Sequence, residues 1–100
     1  MLVTLEADGA VVRDADDCGR LHLATALDDG PLRVALRDTG LGEPGPDGDV
    51  WLDLAVLRSR AELVATEADW AQRWSAMVAY AERRGWLSAD GRAVRVHIER

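Results

Sequence analysis

The chain has 100 residues, 48% of them hydrophobic and 30% charged, with a formal net charge of −6. That length suits one domain with one core, the apolar content is far above the depletion that marks disorder, and no apolar run approaches the roughly 18 residues of a membrane span. Residues 1–53 hold four Arg against twelve Asp and Glu, while residues 54–100 hold eight Arg against six, and an acidic front half argues against non-specific nucleic-acid or acidic-membrane binding, because phosphate contact needs positive charge.

All twelve basic residues are Arg and the chain has no Lys, Asn or Phe, a bias we read as GC-rich coding, so the choice of Arg at any one position carries little functional weight. The N-terminus lacks a basic stretch and turns acidic at Glu6 and Asp8, unlike a secretory leader. A single cysteine, Cys18, cannot form an intramolecular disulfide, and a reducing cytoplasm is the expected setting.

In chain order, Leu2 to Leu5 and Ala10 to Arg13 flank an Asp8-Gly9 step, a hairpin signal. Leu21, Leu23, Thr25 and Leu27 alternate with His22, Ala24 and Ala26, the period of a half-buried strand. After a turn at Asp28-Asp29-Gly30-Pro31, Leu32, Val34 and Leu36 alternate with Arg33, Ala35 and Arg37, which predicts a second hairpin with one face toward water. Residues 39–48 contain four Gly and two Pro and read as a loop. Val50 to Leu54 resume a strand, and a short helix is favoured over its continuation across residues 55–65.

The next helix carries the clearest pattern. Thr66 as N-cap, with Asp69 three residues on, approximates a capping box. Trp70, Trp74, Met77, Val78 and Ala81 form one apolar stripe, Arg83-Arg84 suit the negative end of the dipole, and Gly85 supplies the stop. Asp90-Gly91 turns the chain into a last strand, with Val94, Val96 and Ile98 facing in and Arg95, His97 and Glu99 facing out. Together these elements predict an α+β fold: an antiparallel sheet of about five to six short strands, one long amphipathic C-terminal helix packed on one face and a closing C-terminal strand.

Candidate chemistry is sparse. Asp14-Ala15-Asp16-Asp17-Cys18-Gly19-Arg20-Leu21 resembles the opening of an EF-hand calcium loop, but Cys18 stands at its fifth position and Thr25 at its twelfth, where the bidentate Glu belongs. As a nucleophile Cys18 has three aspartates for neighbours, which oppose a thiolate. His22 and His97 are the only imidazoles and, with no third positioned ligand, fall short of a zinc site. Asp53 and Glu62 are carboxylates without an identifiable partner. No nucleophile-elbow, phosphate-loop, dinucleotide or paired-cysteine motif is present, so neither catalytic residues nor a cofactor are expected.

Residues 61–98 are also similar to half of a winged helix, with Arg92 and Arg95 on the wing, although Glu67 and Asp69 at the helix start would face phosphate. The expectation is therefore a protein-interaction or regulatory module without catalysis, binding a protein partner or itself as a homodimer through Trp51, Tyr80 or Trp86, residue types enriched at interface hot spots. Its alternative is a ligand-binding or enzymatic domain, with a pocket between helix and sheet closed by residues 40–48 and served by His22, Arg33, Asp53 and His97. DNA binding by residues 61–98 comes third.

Overall fold

A computed structural model describes the protein from Met1 to Arg100. The chain opens as the Asp8-Gly9 hairpin predicts: β1 (Leu2–Glu6) and β2 (Gly9–Arg13) pair antiparallel. Residues 14–21 then run around the start of β1, where the Met1 ammonium donates to the carbonyls of Asp17 and Arg20. This passage delivers β3 (His22–Thr25) to the far side of β1, parallel to it.

The second predicted hairpin is a helix instead. Residues 32–37 lie in α1 (Asp29–Thr39), where Pro31 occupies the first turn, a position that needs no N–H donor, and Gly40, at φ 71°, closes the C-terminus. Leu32, Ala35 and Leu36 are buried while Val34 is 45% exposed, so the spacing of three and four prevails over the alternation of two. The Gly/Pro stretch is not wholly a loop either, because it contains β4 (Gly42–Pro44), which pairs antiparallel with β5 (Asp49–Asp53).

β5 passes without a gap into α2 (Leu54–Val64), the short helix that was favoured over a strand. Asp53 is the hinge: its Oδ1 accepts from the Val56 amide at 3.0 Å, an N-cap worth about 1 kcal/mol. The predicted long helix is shorter than residues 66–84. It forms α3 (Trp70–Arg83), because the Thr66 amide and hydroxyl and the Glu67 amide are drawn off to the carboxylate of Asp16. Thr66 is therefore no N-cap.

β6 (Ala93–Glu99) closes the fold at the centre of the sheet, parallel to β3 and antiparallel to β5. The strand order is β2-β1-β3-β6-β5-β4. Two corrections follow for the predicted architecture: the sheet is mixed and curled where an antiparallel one was expected, and three short helices replace one long C-terminal helix. The α+β class itself stands. Val3, Leu5, Leu23, Val50, Leu52, Val94 and Val96 line one sheet face and share a single core with Leu32, Leu36, Leu57, Ala61, Trp70 and Trp74 of the helices. All three helices thus cover the same side.

Candidate functional site

Two cavities of useful size flank this core, and they differ in chemistry. The first, of about 760 Å³, is an apolar groove between residues 16–21, α3 and the Trp86-Leu87 segment that follows it. Cys18, Leu21, Met77, Tyr80, Trp86 and Leu87 supply much of its wall. The Tyr80 and Trp86 rings meet edge to face with centroids 5.7 Å apart, and the guanidiniums of Arg83 and Arg84 lie over them at 5.8 and 5.4 Å. Such stacking confines the rings at a modest entropic cost.

The groove is held open by polar contacts at its ends. Trp70 Nε1 donates to the Ala15 carbonyl at 2.8 Å, and Arg73 donates to the Asp16 carbonyl at 3.2 Å while pairing with Asp69 at 2.9 Å. Asp16 is kept below the usual carboxylate range, chiefly by the Glu67 amide that donates to it. Residues 14–21 are thereby tied both to β1, through Met1, and to α3. Without those ties the groove would have one wall.

Cys18 forms part of that wall as a thiol whose ionisation is disfavoured. The thiol is buried, donates to the Ala15 carbonyl at 3.6 Å, and has its pKa raised by desolvation. Alkylation of the native protein by iodoacetamide at neutral pH is expected to run at least about tenfold slower than that of the urea-unfolded chain. Equal rates would show that residues 14–21 do not hold their place.

The second cavity, of about 870 Å³, is polar and lies at the β4 edge, between α1, the β4–β5 hairpin and the turn before β6. Arg33, Arg37, Trp51, Asp53, Asp90 and Arg92 line it. Asp90 accepts from the Ser88 hydroxyl at 2.6 Å and the Arg92 amide at 3.0 Å, contacts that hold its pKa below the ordinary range. Two of its carboxylates, Asp53 and Asp90, are thus committed to backbone amides.

The predicted site residues divide between these places. Tyr80 and Trp86 come together in the apolar groove, whereas Trp51 lies in the polar cleft with Arg33 and Asp53. His22 and His97 join neither. They stand on adjacent strands of the sheet face opposite the helices, each one residue before the Leu23–Ile98 pair. His22 pairs with Glu99 at 3.3 Å and contacts the Arg20 carbonyl at 3.1 Å, while His97 lies across from Asp49. The four residues of the ligand-binding alternative therefore do not share one pocket. No three His, Cys, Asp or Glu side chains come close enough to hold one metal ion.

Arg37 in the cleft, and Leu21, Met77 and Leu87 in the groove, were not among the predicted site residues, while Arg92 was placed only on a DNA-facing wing and Cys18 was weighed only as a metal ligand or nucleophile. Arg37 carried a signal, since it lies one helical turn from Arg33 once α1 is recognised. The groove wall carried none, because it depends on where residues 14–21 cross. Comparisons of this chain with family models, with curated proteins and with solved structures find no match.

Proposed function

We propose that the protein is an interaction module whose apolar groove receives an acidic amphipathic segment of a partner protein. The observation that carries this is the composition of the groove: a channel lined by Met77, Tyr80 and Trp86, with Arg20 beside Asp16 and Asp17 on its wall and Arg83 and Arg84 over the two rings, none of these three guanidiniums in an ion pair. Met and aromatic side chains adapt to an apolar helix face, and unpaired guanidiniums select acidic flanks and speed encounter. The partner enters as leucine-type anchors between Met77 and Trp86, with its carboxylates at the rim.

A homodimer that fills the groove with a second copy of this chain is the alternative occupant. A reducing, cytoplasmic setting belongs to this reading and is compatible with the free, buried Cys18. No helix is long and apolar enough to cross a membrane. The DNA-binding alternative gains little, since the strand that a wing would present, β6, is enclosed between β3 and β5.

The test uses a synthetic amphipathic helix with leucines at i, i+4 and i+7 and glutamates on its flanks, titrated into the labelled protein by NMR and calorimetry. Binding is expected to shift the Met77 methyl and Trp86 indole signals, and to weaken at least about tenfold in Met77→Glu and in Tyr80→Ala. Replacing the flanking glutamates by lysine is expected to abolish it. No binding, or shifts confined to other surfaces, would overturn the reading, and a stable dimer closed through the groove would replace the separate partner by a second copy.

A further inference from the structure

We infer that the polar cleft at the β4 edge is a binding site for a nucleoside monophosphate. The inference begins with a census of the arginines. Arg60, Arg73, Arg95 and Arg100 make side-chain hydrogen bonds or ion pairs, and Arg58, Arg83 and Arg84 lie over aromatic rings. Five make no guanidinium hydrogen bond, ion pair or ring contact: Arg13, Arg20, Arg33, Arg37 and Arg92, the last of these near enough to Asp90 to help lower its pKa. Three of those five line this one cleft.

Their placement opposes ordinary folding logic. Arg33 and Arg37 are four residues apart on α1, where like charges on one face are destabilising in the absence of a counter-ion. Asp53 and Asp90 line the same cleft but form no ion pair with them, each accepting instead from a backbone amide. Guanidiniums left unpaired around a cleft are suited to a phosphate group, whose oxygens match their paired N–H donors.

Trp51 identifies the rest of the ligand. Trp70 and Trp74 stack on each other and Trp86 meets Tyr80, whereas Trp51, which stands across from Arg95 on β6, makes no ring–ring stack and lines the same cleft. An indole in that position offers a stacking surface to a base of any sequence. Its cross-strand partner is Glu43, an exposed carboxylate without an ion pair that lines the cleft beside it and that suits the hydroxyls of a ribose. Base, sugar and phosphate thus each find a residue type matched to them. Three arginines against Glu43, Asp53 and Asp90 leave the cleft formally neutral, with no excess of positive charge to hold a polyphosphate. The cavity, at about 870 Å³, has room for it.

The experiment titrates the 15N-labelled protein with AMP, adenosine and inorganic phosphate, following the Trp51 indole and the Arg Nε signals alongside calorimetry. AMP is expected to shift Trp51, Arg33, Arg37 and Arg92 together and to bind at least about tenfold more tightly than phosphate or adenosine alone. The double variant Arg33→Ala, Arg37→Ala and, separately, Trp51→Leu are each expected to weaken AMP at least about tenfold. Both arginines are exposed, so the double variant is expected to keep its fold, which its amide spectrum and thermal melt report independently of any ligand. Phosphate binding as tight as AMP would overturn the nucleotide assignment. So would AMP affinity unchanged in the variants, or no shifts up to about 10 mM.

Discussion

Trp70→Ala is expected to lower the unfolding free energy by about 3–5 kcal/mol, the usual cost of truncating a buried aromatic side chain. A domain of this size has about 5–15 kcal/mol in total, so the variant should melt at least about 12 °C below the parent. Trp70 is 5% exposed, its ring centroid is 5.6 Å from that of Trp74, and it reaches across the core to the Ala15 carbonyl. The substitution thus removes packing and a long-range hydrogen bond together. Trp70→Phe separates the two effects: the ring is largely conserved while the Ala15 carbonyl loses its indole donor and keeps only the Cys18 thiol at 3.6 Å. A buried acceptor left without a good partner costs about 1–3 kcal/mol. Thermal melts give the total, and amide exchange in residues 14–21 gives its location. A Phe variant as stable as the parent, with unchanged exchange at Asp17 and Gly19, would show that the indole does not anchor the groove wall.

That long-range anchor marks the limit of what periodicity can reveal. β6 was legible because Val94 and Val96 alternate with Arg95 and His97 over enough residues to exclude a helix. The core stripe of α3 was legible for the same reason, and Trp70, Trp74 and Ala81 are all buried. Across Leu32 to Arg37 the two periods partly coincide, since Leu32 and Leu36 satisfy both, and the environments of Val34 and Ala35 distinguish them. The decisive local signals lay outside that window, with Pro31 in the first turn and Gly40 as the stop. Strand direction could not be read at all. Whether β3 joins β1 parallel or antiparallel depends on residues 14–21 passing the start of β1, a course accompanied by the His22 amide donating to the Met1 carbonyl and by Asp16 reaching Thr66.

The candidate sites follow the same division. Tyr80 and Trp86 are six residues apart and were singled out by type alone, and local chain geometry brings them into contact. Arg33, Trp51 and Arg92 are separated by 18 and 41 positions and meet only because α1, β5 and the turn before β6 converge on one sheet edge. His22, by contrast, was expected in a pocket and instead pairs with Glu99 on the uncovered face. Residues held by one element could be grouped from sequence, whereas residues joined by topology could not.

The β4 edge is also where a single methyl group should have its largest effect on the cleft. Gly42 has φ 156°, and a Cβ built there would fall 1.8 Å from the Trp51 carbonyl oxygen and 2.9 Å from its carbon. Both are backbone atoms and cannot rotate away. Gly42→Ala is therefore expected to cost about 3 kcal/mol or more, combining backbone strain with overpacking, and to separate β4 from β5. Gly48→Ala is the matched control: its φ is 75°, with nothing within 4 Å of the added carbon, so only the left-handed conformation is penalised, by about 1–2 kcal/mol. Urea denaturation of both variants measures the difference. Because Gly42 pairs with Leu52, next to the Glu43–Trp51 pair, Gly42→Ala should also disturb the indole signal of Trp51 while leaving those of Trp70 and Trp74 in place. Equal stability of the two alanine variants would mean that the β4–β5 hairpin yields at little cost, and the cleft it walls would then lack the rigidity that holding Trp51 and Glu43 side by side requires.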